Sequence, residues 1–222
     1  MSGGPLSVVV LISGSGSNLQ ALIDEQRAGR LPIDIRAVIS NRATAYGLER
    51  AQAAGIPTDV LDHRDFPDRE TYDGALRERI DTHAPQLVVL AGFMRILTDK
   101  FVQHFLGRML NIHPSLLPEF RGLHTHRRVL EAGHSEHGCS IHFVTPELDS
   151  GPVIVQGVVP VDASNTEETL AARVQSQEHR TYPLAVRWFA EGRLALDADG
   201  VTLDGALLRT PVRVGWDDPI PD

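Results

Sequence analysis

With 222 residues, a formal net charge of −8 and no block of Lys or Arg, the chain fits one domain of the larger sort and disfavours a broad nucleic-acid surface, which needs many phosphate-neutralising cations. Its single cysteine, Cys139, excludes an internal disulfide and fits a reducing, cytoplasmic setting. No apolar run approaches the ~20 residues of a membrane span, and Met1–Ser7 is too short for a signal peptide.

Met1–Gly4 reads as a flexible lead-in. Leu6–Ile12 is short, β-branched and uninterrupted, the pattern of a strand buried on both faces. Ser13-Gly14-Ser15-Gly16-Ser17-Asn18 then turns into a helix with Leu19, Leu22 and Ile23 at helical spacing. Free backbone N–H groups and the helix dipole of such a loop favour a phosphate. Dinucleotide binding is the rival reading. Position 19, where a third glycine would fall, is Leu19, and the next strand, around Ile33–Ile39, ends in Ser40-Asn41 without an acidic residue. A single terminal phosphate suits the loop better, and a plain tight turn with an N-cap stays open.

A helix near Tyr46–Ala54 stops at Gly55 and Pro57, and Thr58–Leu61 makes a short strand. Asp65–Pro67 open another helix with Tyr72, Leu76 and Ile80 four apart, ending before Pro85. Gln86–Ala91 is a buried strand. The apolar loop Gly92–Leu97 follows, with one cation, Arg95; it could wall a site for a flat aromatic ligand or make a satellite core contact. Thr98–Phe105 is a helix leading to a strand at Met109–His113. The order βαβαβαβαβ predicts a Rossmann-like α/β fold, a mostly parallel twisted sheet with helices on both faces.

Leu110-Asn111-Ile112-His113-Pro114-Ser115-Leu116-Leu117-Pro118 opens as a strand and breaks into a loop. Strand alternation sends Asn111 and His113 to one side and Ile112 to the other. The carboxyl ends of strands in such sheets form the ligand crevice, and Pro114 and Pro118 restrict the backbone that follows. A capping Asn and a structural His are the plainer alternative. The next loop, Glu119–His126, carries His124 and His126, but no Cys or carboxylate cluster completes a metal site, so no metal is expected. A helix near Arg127–Ala132 follows it.

Gly138–Val144 and Pro152–Val161 read as two strands joined by a turn with Leu148-Asp149-Ser150-Gly151, extending the sheet antiparallel at one edge. Ser164-Asn165-Thr166-Glu167 has capping-box spacing and opens a long helix that Pro183 should kink or split. Glu178 falls on this helix, by default on a solvated face. In Leu194–Leu208, turn signals at Asp199-Gly200 and Asp204-Gly205 suggest a small hairpin.

Asn111, His113 and Asp149 form the candidate catalytic group. A carboxylate beside an imidazole stabilises the imidazolium, and an amide can donate to an oxyanion. No serine or cysteine sits in a nucleophile elbow, so direct transfer between two bound substrates is expected rather than a covalent acyl-enzyme.

These residues resemble the phosphoribosylglycinamide formyltransferase family of folate-dependent formyltransferases. The resemblance runs through Val10–Leu19, Asn41–Gly55, Leu87–Leu97, Leu110–Pro118, Gly122–His126, Gly138–Val155 and Arg173–Trp188. It implies a formyltransferase domain over residues 6–192, with 193–222 a tail of the same single domain. It implies catalytic roles for Asn111, His113 and Asp149, with His113 the proton donor. It also implies that Gly16, Ser17 and Asn18 hold the substrate phosphate, Glu178 contacts the ribose, and Met94, Arg95, Ile96, Leu97 and Asn111 face the folate. Arg69 corresponds to a cation near the folate glutamate tail. The cosubstrate implied is 10-formyltetrahydrofolate and the acceptor is the amine of phosphoribosylglycinamide. The partners implied are small molecules, with no nucleic acid or membrane, in a monomer or homodimer. One departure is visible: Arg121 stands before Gly122 where the family has proline. Among rivals with the same trio, a methionyl-tRNA formyltransferase would need a further basic, tRNA-binding region, and a 10-formyltetrahydrofolate hydrolase an N-terminal regulatory domain.

Overall fold

The structure, a computed structural model, describes residues 4–222. Of the expected lead-in, Met1–Gly3 lie outside the described residues. The chain divides into two compact units: one runs through Asn111 and takes in Val144–Pro146, and the other holds Ile112–Phe143 and Glu147–Asp222.

The first unit follows the expected alternation: β1 (Leu6–Ile12), α1 (Ser17–Arg27), β2 (Ile33–Ser40), α2 (Tyr46–Ala53), β3 (Thr58–Val60), α3 (Arg69–Asp81), β4 (Leu87–Leu90), α4 (Asp99–His104) and the start of β5 (Met109–His113). Its strands are parallel, in the order β5-β4-β1-β2-β3. Val8–Ile12 are all fully buried, because a parallel strand in this position is covered on both faces. The strand β1 has β2 on one side and β4 on the other, so the order reverses at β1 and the loops leaving β1 and β4 flank the switch point where ligands enter such sheets. Tyr72, Leu76 and Ile80 of α3 are at most 1% exposed and share a core with Val9, Leu11, Val88 and Phe101.

The opening of α3 differs from expectation. His63–Asp65 make a separate 3-10 turn capped by Asp62, and Phe66 is extended because Pro67 follows it. The helix starts instead at Arg69, capped by Asp68, whose Oδ1 accepts from Thr71 N at 2.7 Å.

The second unit holds the end of β5, α5 (Thr125–Ala132), β6 (Glu136–Phe143), β7 (Val153–Pro160), α6 (Glu167–Ala190), β8 (Leu194–Asp197), β9 (Gly200–Leu203), β10 (Ala206–Leu207) and β11 (Val212–Val214). The strands β6 and β7 are antiparallel, as expected, but β7 is not the last strand, since β11 pairs with it in parallel. Mostly parallel pairing with this antiparallel pair gives the expected Rossmann-like α/β class.

The helix α6 corrects the expected cap and one of the two outcomes expected at Pro183. Its cap is Thr166, in a reciprocal box with Thr169, while Ser164 bonds to Asp162 instead. Pro183 does not split it: the helix continues from Glu167 to Ala190. Burial of Tyr182, Leu184, Val186 and Trp188 around the proline offsets the ~3 kcal/mol that an interior proline costs. Gln177 Nε2 on this helix donates to Val158 O at 3.0 Å and Val214 O at 3.2 Å, tying it to β7 and β11. The tail is a three-stranded antiparallel sheet, β8-β9-β10, with Asp199-Gly200 and Asp204-Gly205 at its two turns.

Candidate active site

In the first unit, β1 delivers the glycine-rich loop. Gly16 has φ +69°, a conformation that costs a residue with a Cβ, and it caps α1 with no side-chain hydrogen bond. The N-terminus of α2 comes against the same loop: Gly47 N donates to Gly14 O at 3.0 Å, and Ala45 caps α2 without a side-chain bond. A Cβ on Gly16 would lie 2.5 Å from Gly47 Cα, so both glycines are needed for the approach. Two helix N-termini therefore converge beside Gly16, Ser17 and Asn18, and their dipoles favour an anion.

Arg50, which sequence reasoning did not single out, reaches the loop from α2. Its Nε donates to Ser15 O at 2.9 Å, and its guanidinium lies 4.9 Å from the Tyr46 ring centroid. It stands three positions after Gly47, about one helical turn, which places a cation beside the close approach. That spacing was the only signal available in the chain.

The loop after β4 alternates in burial. Phe93 and Leu97 are sunk in the core at 8% exposure, while Met94 and Ile96 stand 64% and 57% exposed. Arg95 turns back toward α3, with its guanidinium 5.8 Å from the Tyr72 ring centroid. The loop ends on Asp73, whose buried carboxylate accepts from Thr98 N at 2.6 Å. Burial pushes the Asp73 carboxyl above its ordinary range, against the pull of that bond and of Arg69 and Arg95. Arg69 itself is exposed at the first position of α3.

In the second unit, His113 ends β5 and lies 6% exposed. Its Nδ1 is 3.4 Å from Asp149 Oδ2, with both side chains 8% exposed. Its Nε2 is 3.0 Å from Phe120 O. A carbonyl can only accept, so Nε2 is the ring nitrogen that donates to Phe120 O, and Nδ1 faces the Asp149 carboxylate. Asn111 stands two residues earlier on the same strand. Asp149 is held in the left-handed region, φ +49°, and its Oδ2 also accepts from Gly122 N at 3.0 Å. The 119–124 loop thus supplies one group to each member of the pair. Arg128 Nη1 donates to Arg121 O at 2.7 Å, and the Arg121 side chain pairs with Glu147 at 3.2 Å. Where proline was expected, this chain has an exposed ion pair.

Other histidines lie behind this one. His126 Nδ1 meets His137 Nε2 at 2.9 Å, an arrangement in which one ring donates and the other accepts. Burial pushes His137 down to about 3, helped by the neighbouring histidines, and lowers His126 and His142 as well. The residue His126, considered as a metal ligand from sequence, spends its nitrogen on His137 instead. Among the described residues no group of three or more His, Cys, Asp or Glu could hold a metal ion. Glu178 is half-buried on α6, and its charge adds to the burial that raises the Cys139 thiol, so it does not lie on a freely solvated face.

The formyl transferase family model matches residues 6–186. The chain is 57% identical over 203 residues to the phosphoribosylglycinamide formyltransferase of Escherichia coli (strain K12), covering 91% of this chain and 96% of that protein. It is 47% identical over 201 residues to that of Haemophilus influenzae, covering 90% and 95%. The structure of the phosphoribosylglycinamide formyltransferase from Coxiella burnetii superposes with a TM-score of 0.90 at 52% identity, covering 94% of this chain and 99% of that one.

Proposed function

This chain belongs to the formyl transferase family, and on that premise we propose that it moves the formyl group of 10-formyltetrahydrofolate to the amine of phosphoribosylglycinamide. The observation that carries the reading is the buried His113–Asp149 pair, with His113 two residues beyond Asn111 on β5. The amine nitrogen attacks the formyl carbon and the carbonyl oxygen becomes an oxyanion. Asn111 donates to that oxyanion with its amide, and His113 with a ring N–H, stabilising charge that exists only near the transition state. The bond from the formyl carbon to N10 then breaks, and N10 takes up a proton in place of the one lost by the attacking amine. Asp149 orients the His113 ring and favours its protonated form, so that His113 can pass a proton to N10 and take back the one lost by the amine. Because Phe120 O holds Nε2 in this conformation, an oxyanion that uses Nε2 displaces that carbonyl.

In this reading Gly16, Ser17 and Asn18, joined by Arg50, take the phosphate, and Glu178 takes the ribose. Met94, Arg95, Ile96 and Leu97 face the folate, with Arg69 toward its glutamate tail. The folate is a cosubstrate, and the reaction suits the cytoplasm, where purines are made. The test is a spectrophotometric assay of formyl loss from 10-formylfolate with and without phosphoribosylglycinamide. Loss that depends on the ribonucleotide is expected. Loss at the same rate without it would make the protein a hydrolase, and no loss with either would leave only a binding role.

A further inference from the structure

Two buried polar residues of the first unit have no part in the chemistry above, yet they hold the two ligand loops together. Ser13 leaves β1 as the first residue of the glycine-rich loop and is 4% exposed. Its backbone N donates to Gly92 O at 3.1 Å, its Oγ accepts from Met94 N at 2.7 Å, and its hydroxyl donates to Asn41 Oδ1 at 2.6 Å. Asn41, fully buried just past β2, offers its Nδ2 to His63 Nδ1 at 3.3 Å. The hydroxyl of Ser13 therefore has its donor and an acceptor position both engaged, and its orientation is set by two different loops.

Seen from the Gly92–Leu97 loop, the anchors are spaced along its length. Gly92 and Met94 are tied to Ser13 at the entrance, and Thr98 is tied to Asp73 at the exit. Phe93 and Leu97 are locked in the core between them, which leaves Met94 and Ile96 displayed. The direction of Met94 is thus set by its own backbone N–H, held by a serine that belongs to the phosphate loop.

We infer that Ser13, with Asn41 as its acceptor, is a positioning residue for the formyl donor rather than for the phosphate. It presents Met94 and Ile96 to the flat ring system of the donor, and it makes the donor surface depend on the loop that receives the phosphorylated acceptor. The inference rests on the assignment of these two loops under the proposed function. A buried hydroxyl that bridges two partners leaves both unsatisfied when it is removed, so the entrance of the donor loop shifts while Gly16 and the start of α1 keep their own backbone bonds.

The test compares the wild type with Ser13→Ala and Asn41→Ala in steady-state assays, varying 10-formylfolate and phosphoribosylglycinamide separately. Equilibrium dialysis measures 10-formylfolate binding to each protein in the absence of the ribonucleotide. Ser13→Ala is expected to raise the donor KM and dissociation constant about tenfold, with kcat and the ribonucleotide KM within threefold of wild type. Asn41→Ala, which alters neither loop directly, is expected to shift the same two donor constants in the same direction by a smaller factor, and it carries the test if Ser13→Ala fails to fold. A residue with only a structural role would lower the melting temperature without this selective change. A rise in the ribonucleotide KM alone, or donor constants within twofold of wild type in both variants, would overturn the inference. Should the wild type itself fail to transfer formyl, the proposed function fails instead, and the two failures are told apart by that first measurement.

Discussion

Asp149→Asn removes one charge and little else. Asn has the same shape, tolerates the left-handed backbone at φ +49°, and its amide oxygen can keep the bond from Gly122 N. What disappears is the attraction between a carboxylate and a His113 imidazolium whose nearest atoms are 3.4 Å apart. Unit charges at that distance attract by about 5 kcal/mol at an effective dielectric of about 20, and by about 1 kcal/mol in bulk water. The low exposure of both side chains places the pair nearer the first value. At about 1.4 kcal/mol per factor of ten, kcat should fall roughly 10²- to 10³-fold, in the range of a lost general-acid contribution. The assay is formyl transfer with both substrates saturating, alongside a thermal melt to confirm that the variant is folded. A folded variant with kcat within threefold of wild type would refute the electrostatic role of Asp149, because no charged His113 could then be depending on it.

Gly16→Ala forces a Cβ onto a residue at φ +69° and to within 2.5 Å of Gly47 Cα. Strain of roughly 1–3 kcal/mol should open the loop, raising the ribonucleotide KM at least tenfold and the donor KM, which feels the loop only through Ser13, by a smaller factor; an unchanged ribonucleotide KM would remove the phosphate assignment. Stability should depend on pH through His126, His137 and His142, which burial holds neutral in the folded state. The unfolded chain protonates them below about 6.5 while folded His137 resists to about 3, so the stability is full above 6.5 and declines as pH falls across that window. Denaturant titrations at several pH values should show this decline, and His137→Gln should make it shallower; an equal slope in the variant would count against the buried pair. Cys139 is fully buried with its thiol pushed up to about 12, chiefly by burial. Iodoacetamide at pH 8 should therefore leave it unmodified in the native protein and label it in denaturant, as mass spectrometry would record.

Much of this architecture was legible because it rests on local rules. The range of β1 follows from its β-branched apolar run, that of β5 from an apolar start that gives way to alternating Asn111 and His113 before Pro114, and both tail turns from Asp-Gly pairs whose glycine accepts a positive φ. Misreadings arose where several local solutions compete. Ser164 and Thr166 can each cap a helix, and the contest is settled by which hydroxyl meets a backbone N–H three residues on; Thr169 closes the box for Thr166. Pro183 should break an isolated helix, but the buried side chains around it outweigh the missing bond. Only three residues long, β11 has too little pattern to stand out and exists because β7 offers it a ladder.

The candidate site divides in the same way. The sequence by itself determined which side chains could do the chemistry: an amide and an imidazole two apart at a strand end, a carboxylate in a tight turn, and glycines before a helix. Spacing along the chain is enough for these, because strand alternation and turn geometry act over a few residues. Tertiary structure alone decided which groups meet. Asp149 lies 3.4 Å from a histidine 36 positions earlier, Arg50 reaches back to Ser15, His126 pairs with His137, and Ser13 joins Met94 to Asn41. These contacts follow from strand order and from helices packing at van der Waals distance, which depend on the burial of the whole chain and leave no periodic trace in any one segment.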